Sequence, residues 1–188
     1  MSLFTGKGDD GTTYAFGSNK RFSKSSDLAE ALGTVDELNS YLGFLKISSR
    51  KANFFVKIDS EEFYFEKIIE QVQQNLFIIQ AQIAGADKNI SENKISQMSD
   101  LINKIEKEMP PIKTFFVSGG VELSTLFDFA RTVCRRAERR VVSLNDSGEI
   151  IIEKNTLAYL NRLSSLLYAM ARLSNHLSGI KEEIPNYQ

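Results

Sequence analysis

Apolar residues return every three or four positions along most of this chain. Leu28, Ala31, Leu32, Val35, Leu38, Leu42 and Leu45 form the first such run, which puts them on one face of a helix. Ser26 or Asp27 precedes it as a candidate N-cap. A second helix is predicted after Ser60, with Phe65, Ile68, Val72, Leu76, Ile79 and Ile83 on its stripe. Ile95, Met98, Ile102 and Ile105 mark a shorter third, closed by Pro110-Pro111. After a loop from Lys113 to Gly120, a fourth helix is expected from Ser124 to Leu144, with Leu126, Ala130, Val133, Ala137 and Val141 inward. The turn Asn145-Asp146-Ser147-Gly148 ends it. A fifth runs from Thr156 to Leu177, with Leu160, Leu163, Leu167 and Met170 inward.

Five amphipathic helices with few strand signals predict an all-α five-helix bundle. The expected division of a single domain, 1–188, is a glycine-rich loop segment over 1–24, a bundle over 25–178 and a loosely ordered tail over 179–188. Residues 1–24 have neither helical nor strand periodicity and read as an ordered loop or short hairpin. Residues 46–60 read as a connection of undefined shape.

Charge narrows the function. Lys+Arg 23 against Asp+Glu 24 gives a net charge of −1, which argues against a general nucleic-acid binder. Positive charge is instead local. Residues 131–140 hold five arginines against Glu138, and residues 1–24 hold Lys7, Lys20, Arg21 and Lys24 against Asp9 and Asp10. Such clusters suit a small anion better than a polymer. One cysteine, Cys134, and one histidine, His176, are too few for a zinc or iron–sulfur site. No internal disulfide can form, which fits a reducing, cytoplasmic setting. Met1-Ser2-Leu3-Phe4 runs into glycines and charges, so no secretory signal is expected. No run of 18 apolar residues predicts a membrane span.

Four clusters could carry chemistry. Gly6, Gly8 and Gly11 permit close backbone approach to a ligand, so their N–H groups could wrap an anion. Lys7 adds charge there, and Thr5, Thr12 and Thr13 add hydroxyls; an ordinary glycine-rich turn is the alternative. Arg131, Arg135 and Glu138 fall within about 60° of one another on a helix turning about 100° per residue. Guanidinium forks one turn apart can grip a polyphosphate; the alternative is a surface salt-bridge network. Arg136 and Arg140 lie past the other edge of the stripe, either solvated or paired between subunits. Asp36, Asn39 and Ser40 form a polar face that is either solvated or met by an arginine of another helix or subunit. Asn161 could read an adenine or ribose edge from the bundle, or cap a neighbouring element. Cys134 reads as a small core residue.

Taken together and in order, these pieces resemble the PduO-type ATP:cob(I)alamin adenosyltransferases. The carriers are Thr5-Gly-Lys-Gly-Asp-Asp-Gly-Thr-Thr13, Arg21-Phe-Ser-Lys24, Ala31-Leu-Gly-Thr-Val-Asp-Glu-Leu-Asn-Ser40, Phe115-Phe-Val-Ser-Gly-Gly120, Ala130-Arg-Thr-Val-Cys-Arg-Arg-Ala-Glu-Arg139 and Tyr159-Leu-Asn-Arg-Leu-Ser164. The resemblance implies a homotrimer with ATP and Mg²⁺ bound at subunit interfaces, Mg²⁺ being held mainly by the phosphates. It implies transfer of the 5′-deoxyadenosyl group to the cobalt of a reduced corrinoid such as cob(I)alamin, with loss of triphosphate, and an electron-donating reductase as partner.

The implied ATP contacts are Thr5, Gly6, Lys7, Gly8, Gly11, Thr12, Lys24, Arg135, Glu138 and Asn161. Arg131, Arg135 and Asp36 are the implied catalytic set, with Asp36 pairing Arg131 across the interface. Phe115 is implied to lie under the corrin. Three positions depart from the family pattern: Asp128 for His, Ser165 for Asp and Ser118 for Pro. Two rival readings remain, an ATP- or corrinoid-binding sensor or carrier without turnover and a helical interaction module.

Overall fold

A computed structural model of the protein describes residues 4–15 and 20–188. Residues 1–3 and 16–19 of the 1–24 segment lie outside the described residues, as does most of the stretch read for a signal peptide. The described residues form two short hairpins and five helices: β1 (Thr12–Tyr14), β2 (Arg21–Ser23), α1 (Asp27–Ala52), β3 (Phe55–Ile58), β4 (Glu61–Tyr64), α2 (Phe65–Ile83), α3 (Glu92–Lys107), α4 (Glu122–Asp146) and α5 (Lys154–Leu177). None of these helices is long and apolar enough to cross a membrane.

Ser26 caps α1, its side chain accepting from the Ala29 N–H. The helix runs seven residues past Leu45, because nothing between Lys46 and Ala52 breaks it. Asn53 stops it with a left-handed φ of 50°, a conformation asparagine tolerates at a helix end. The connection of undefined shape therefore resolves into a helical end and a hairpin. In that hairpin Val56 pairs with Phe63 and Ile58 with Glu61. Asp59 and Ser60 both take positive φ, 51° and 69°, as a two-residue hairpin turn of matching twist requires. Val56 and Ile58 are buried and Lys57 is exposed, the alternation of a one-sided strand.

The helices pack in a neighbour order that differs from chain order. α1 lies against α2 and α4, α4 against α5, and α5 against α3. α4 thus sits between two partners and buries a full stripe: Phe127, Ala130, Val133, Cys134, Ala137, Val141 and Leu144 are all within 1% of complete burial. The aromatic ring of Phe127 meets that of Phe65 edge-on at 5.7 Å, joining α4 to the start of α2. Removing a fully buried Phe or Leu from such a seam costs about 2–5 kcal/mol.

The tail is tied back at Glu182 and Glu183. Arg172 of α5, only 5% exposed, draws Glu182 back with Nε–Oε1 and Nη2–Oε2 distances of 2.9 and 2.8 Å. The Val117 N–H also donates to the Glu183 carbonyl at 2.8 Å. Arg172 further donates to the Pro110 carbonyl and lies over the Phe116 ring at 5.2 Å. One buried guanidinium therefore fastens the tail, the end of the α3 connection and the 113–120 loop.

Cys134 is fully buried, and desolvation pushes its thiol pKa up to about 12. Thiolate is the reactive form, so the folded protein should resist thiol reagents at pH 8. Labelling with a chromogenic disulfide should be slow under native conditions and rapid in denaturant. Fast native labelling would contradict this placement of α4.

Candidate functional site

The glycine-rich loop is organised by two cations beyond it, Arg21 on β2 and Lys24 just after that strand. Arg21 of β2 donates from Nε to Thr12 Oγ1 at 2.6 Å and from Nη2 to the Thr12 carbonyl at 3.0 Å. The same Nη2 reaches Asp10 Oδ1 at 3.2 Å and the Lys7 carbonyl. Lys24 Nζ donates to the Gly8 carbonyl at 2.7 Å. Hydrogen bonds from Thr12, side chain then backbone, and the neighbouring Arg21 hold the Asp10 carboxyl below its usual pKa.

Gly8 is closely packed here: a Cβ would sit 3.1 Å from Lys24 Nζ and 3.3 Å from the Thr12 carbonyl, so its neighbours would have to give by a few tenths of an ångström. Gly6 and Gly11 take positive φ, 67° and 78°, which lets the chain turn twice, Asp9 N–H to Gly6 O and Gly11 N–H to Gly8 O, both at 3.2 Å. Thr5 Oγ1 accepts from the Lys7 N–H at 3.4 Å.

A cavity of about 580 Å³ opens between the 112–118 loop, α4 and α5. Phe115 and Phe116 stand on one wall, Arg131 and Arg135 on another, and Ser164, Ser165 and Tyr168 on the third. Phe115 is 78% exposed, an apolar ring held at the mouth rather than packed in the core. Burial raises the Tyr168 hydroxyl above its ordinary pKa, so it stays a proton donor.

The arginines of α4 divide into paired and unpaired. Arg136 meets Glu37 at 2.5 Å and Arg140 meets Glu30 at 3.6 Å, both on α1 of the same chain. They are therefore paired within the subunit, since the two helices lie side by side. Arg131 donates from Nε to Asp128 Oδ1 at 2.6 Å, one turn back on α4, and lies over the Tyr168 ring at 5.8 Å. Arg135 and Arg139 have no carboxylate partner among the described residues. Of these two, only Arg135 lines the cavity. An unpaired guanidinium beside apolar rings offers an anion a forked set of donors.

The loop that carries Phe115 is fixed from below by Asn175, a residue its sequence context did not single out. Its Nδ2 donates to the Gly119 carbonyl and its Oδ1 accepts from the Val121 N–H, both at 3.0 Å. Gly120 has φ 103°, and a Cβ on it would lie 2.1 Å from Asn175 Oδ1. Gly120 thus leaves the space that Asn175 occupies, whereas a Cβ on Gly119 would meet nothing.

Of the implied ATP, corrinoid and catalytic residues, the structure gathers Phe115, Arg131 and Arg135 at this cavity. It does not bring the others there within one chain. No described residue of the 5–13 loop, nor Lys24, Asp36, Glu138 or Asn161, lines it. Asp36 is exposed on α1 and accepts from Gln80 Nε2 at 3.4 Å. Its helix neighbour Asn39 is buried, with Oδ1 unpartnered among the described residues. Asn161 is exposed rather than in the bundle core, because Leu160 and Leu163 take the inward direction of α5. The adjacent Arg162 turns away, to Ser99 on α3 at 2.8 Å.

A model of the family described as cobalamin adenosyltransferase matches residues 3–174. The chain belongs to the cobalamin adenosyltransferase family. It is 36% identical over 184 residues to a corrinoid adenosyltransferase of Bacillus subtilis, covering 96% of this chain and 90% of that protein. It is 33% identical over 183 residues to the corrinoid adenosyltransferase PduO of Citrobacter freundii, covering 94% of this chain. The chain spans about half the length of that PduO protein and of its Salmonella typhimurium counterpart, 50% and 54%. Among solved structures, a variant PduO-type ATP:corrinoid adenosyltransferase of Lactobacillus reuteri, complexed with cobalamin and ATP, superposes with a TM-score of 0.84 at 29% identity, covering 98% of this chain and 99% of that one.

Ser118, Asp128 and Ser165, the three positions read from the sequence as departures, all line this cavity. Asp128 is the residue that holds Arg131. Its side chain is 12% exposed and that of Arg131 28%, so Asp128→Ala would strand a poorly solvated guanidinium. Such a loss costs about 1–3 kcal/mol. The urea midpoint of Asp128→Ala should fall accordingly. An unchanged midpoint would reduce the pair to a surface contact.

Proposed function

We propose that the protein transfers the 5′-deoxyadenosyl group of ATP to the cobalt of a reduced corrinoid such as cob(I)alamin, releasing triphosphate. The observation that carries this reading is Arg135, unpaired on a cavity whose mouth is the exposed ring of Phe115. A polyanion and a flat apolar macrocycle are the two partners such a surface suits. Family membership and the likeness to an ATP- and cobalamin-bound structure support the same reading.

The chemistry asks little of the protein's nucleophiles. The Co(I) electron pair forms the bond to the 5′ carbon, and the 5′ C–O bond breaks with its pair passing to triphosphate. Charge then builds on the leaving group, where fixed donors are most effective. Arg135 and Arg131 would meet those oxygens, with Thr5, Gly6, Lys7, Gly8, Gly11, Thr12 and Lys24 completing the cradle. Glu138 and Asn161 would bind the remainder of the nucleotide. Among the described residues, no group of three His, Cys, Asp or Glu could hold a metal. Mg²⁺ would be held mainly by the ATP phosphates, as it commonly is with few protein ligands. Phe115 would exclude water from the cobalt face.

A site split between a loop and a cavity that do not meet in one chain favours assembly. The surface shared by α1 and α4 supports this, with Phe44 and Phe129 exposed at 53% and 55%. Both rings pack on Tyr41, at 6.3 and 5.0 Å. We infer a homotrimer in which this face meets a second copy and Asp36 approaches the terminal nitrogens of the partner's Arg131. Asp128 occupies only the Nε edge, so a second carboxylate has donors left. The same reading treats 1–188 as one such domain, with a cytoplasmic setting and a reductase to supply Co(I).

The purified protein with Mg-ATP and chemically reduced cob(I)alamin, kept anaerobic, should lose the Co(I) spectrum and yield a light-sensitive product with equimolar triphosphate. ATP binding without triphosphate release would instead favour a sensor or carrier. Arg135→Ala should keep the helical circular dichroism and lose about 10²-fold or more in turnover, the scale of removing one charge-stabilising donor. Unchanged turnover in that variant would remove Arg135 from the site.

A further inference from the structure

A second cavity, of about 460 Å³, lies between β4, α2, α3 and α5. It shares no lining residue with the cavity at Arg135. Its size falls in the small-molecule range of roughly 300–1,000 Å³. Phe63, Ile68, Val72, Met98, Leu101 and Leu166 make its walls apolar.

At its base three polar side chains converge. Asn75 is 4% and Tyr159 1% exposed. Lys94 Nζ donates to Asn75 Oδ1, and Asn75 Nδ2 donates to the Tyr159 hydroxyl at 3.0 Å. The chemistry fixes these directions. An ammonium has no lone pair, so the amide oxygen must face Lys94. The amide nitrogen then faces Tyr159, whose oxygen is the acceptor. The Tyr159 proton, the second Asn75 proton and two of the three Lys94 protons have no acceptor among the described residues.

The charges differ in the same way. Lys67 pairs with Glu70 at 3.0 Å and Lys104 with Asp59 at 3.4 Å. Lys94 has no carboxylate within ion-pair distance among the described residues, and its one hydrogen-bond partner is a neutral amide. The two carboxylates of the lining, Glu62 and Asp100, are exposed, and Glu62 already accepts from the Tyr64 hydroxyl. The base of the cavity is therefore a surplus of donors with one uncompensated positive charge. The Asn75 and Tyr159 donors are buried, where such groups are normally satisfied, and Lys94 is partly exposed at the opening beside them.

We propose that this cavity binds a small amphipathic carboxylate, an acyl or aryl acid. One ligand oxygen takes the free protons of Lys94 and the other that of Tyr159. The two donors already bracket one planar amide, and a carboxylate has the same flat, two-headed shape. The apolar part of the acid lies along the wall from Ile68 to Leu101. No arginine lines the cavity, so it lacks the forked donors that grip a phosphate.

The test is calorimetric titration of the full chain with octanoate and 4-phenylbutanoate, with 1-octanol as the neutral control. At least one acid should bind with a Kd on the order of 1 mM or tighter, well ahead of the alcohol and without displacement by Mg-ATP. Lys94→Met, a change at a half-exposed position, should weaken the acid at least about tenfold while leaving octanol unchanged. Tyr159→Phe should weaken it less. Equal binding of acid and alcohol, unchanged affinity in Lys94→Met, or no binding of either acid would each overturn the proposal.

Discussion

Charge pairing along α4 is the constraint on which the rest of this protein depends. The helix is gripped by α1 on one side and α5 on the other, so its apolar stripe fixes its rotation. Once that rotation is fixed, each arginine has one direction to point. Arg136 and Arg140 fall beside α1 and find Glu37 and Glu30. Arg131 turns toward α5 and is held by Asp128. Arg135 comes out over the cavity, with Phe115 opposite.

The cavity's other wall is equally constrained. A loop bearing exposed aromatic rings would collapse onto any apolar surface nearby. Here Asn175 pins Gly119 and Val121 from beneath, and Arg172 holds Phe116 and the tail. The ring of Phe115 is left outside because its neighbours are tied down. That is how a hydrophobic side chain stays outside the core.

Much of this was legible in the sequence. The three- and four-residue spacing located five helices and the inward residues of α5. On α4 it placed Ala130, Val133, Ala137 and Val141 inward correctly, but Leu126 is only partly buried and its neighbour Phe127 takes the core position. The α1 extension was missed because its buried side turns to Ser49 after Leu45, which ends the apolar signal without ending the helix. The β3–β4 hairpin was missed because Asp59-Ser60 is an unusual pair for a turn that needs two positive φ angles. Long-range partners were beyond periodicity altogether. Nothing local marks Asn175 as the support of Gly120, or Arg172 as the anchor of Glu182. The Asp128–Arg131 spacing of three was a visible cue, since such pairs share a helix face. The division of the candidate site between loop and cavity could not be read from a linear order that places both in one chain.

The central claim is that the loop of one subunit and the cavity of another form one working site. Mixing two inactive variants tests it most directly. One carries Lys24→Ala in the loop and the other Arg135→Ala at the cavity; each is assayed alone, then together after reversible dissociation and reassembly. The account predicts that mixed assemblies regain a substantial fraction of adenosyl transfer, because some interfaces then hold an intact loop opposite an intact arginine. No recovery in assemblies shown by mass to contain both variants would contradict a shared site.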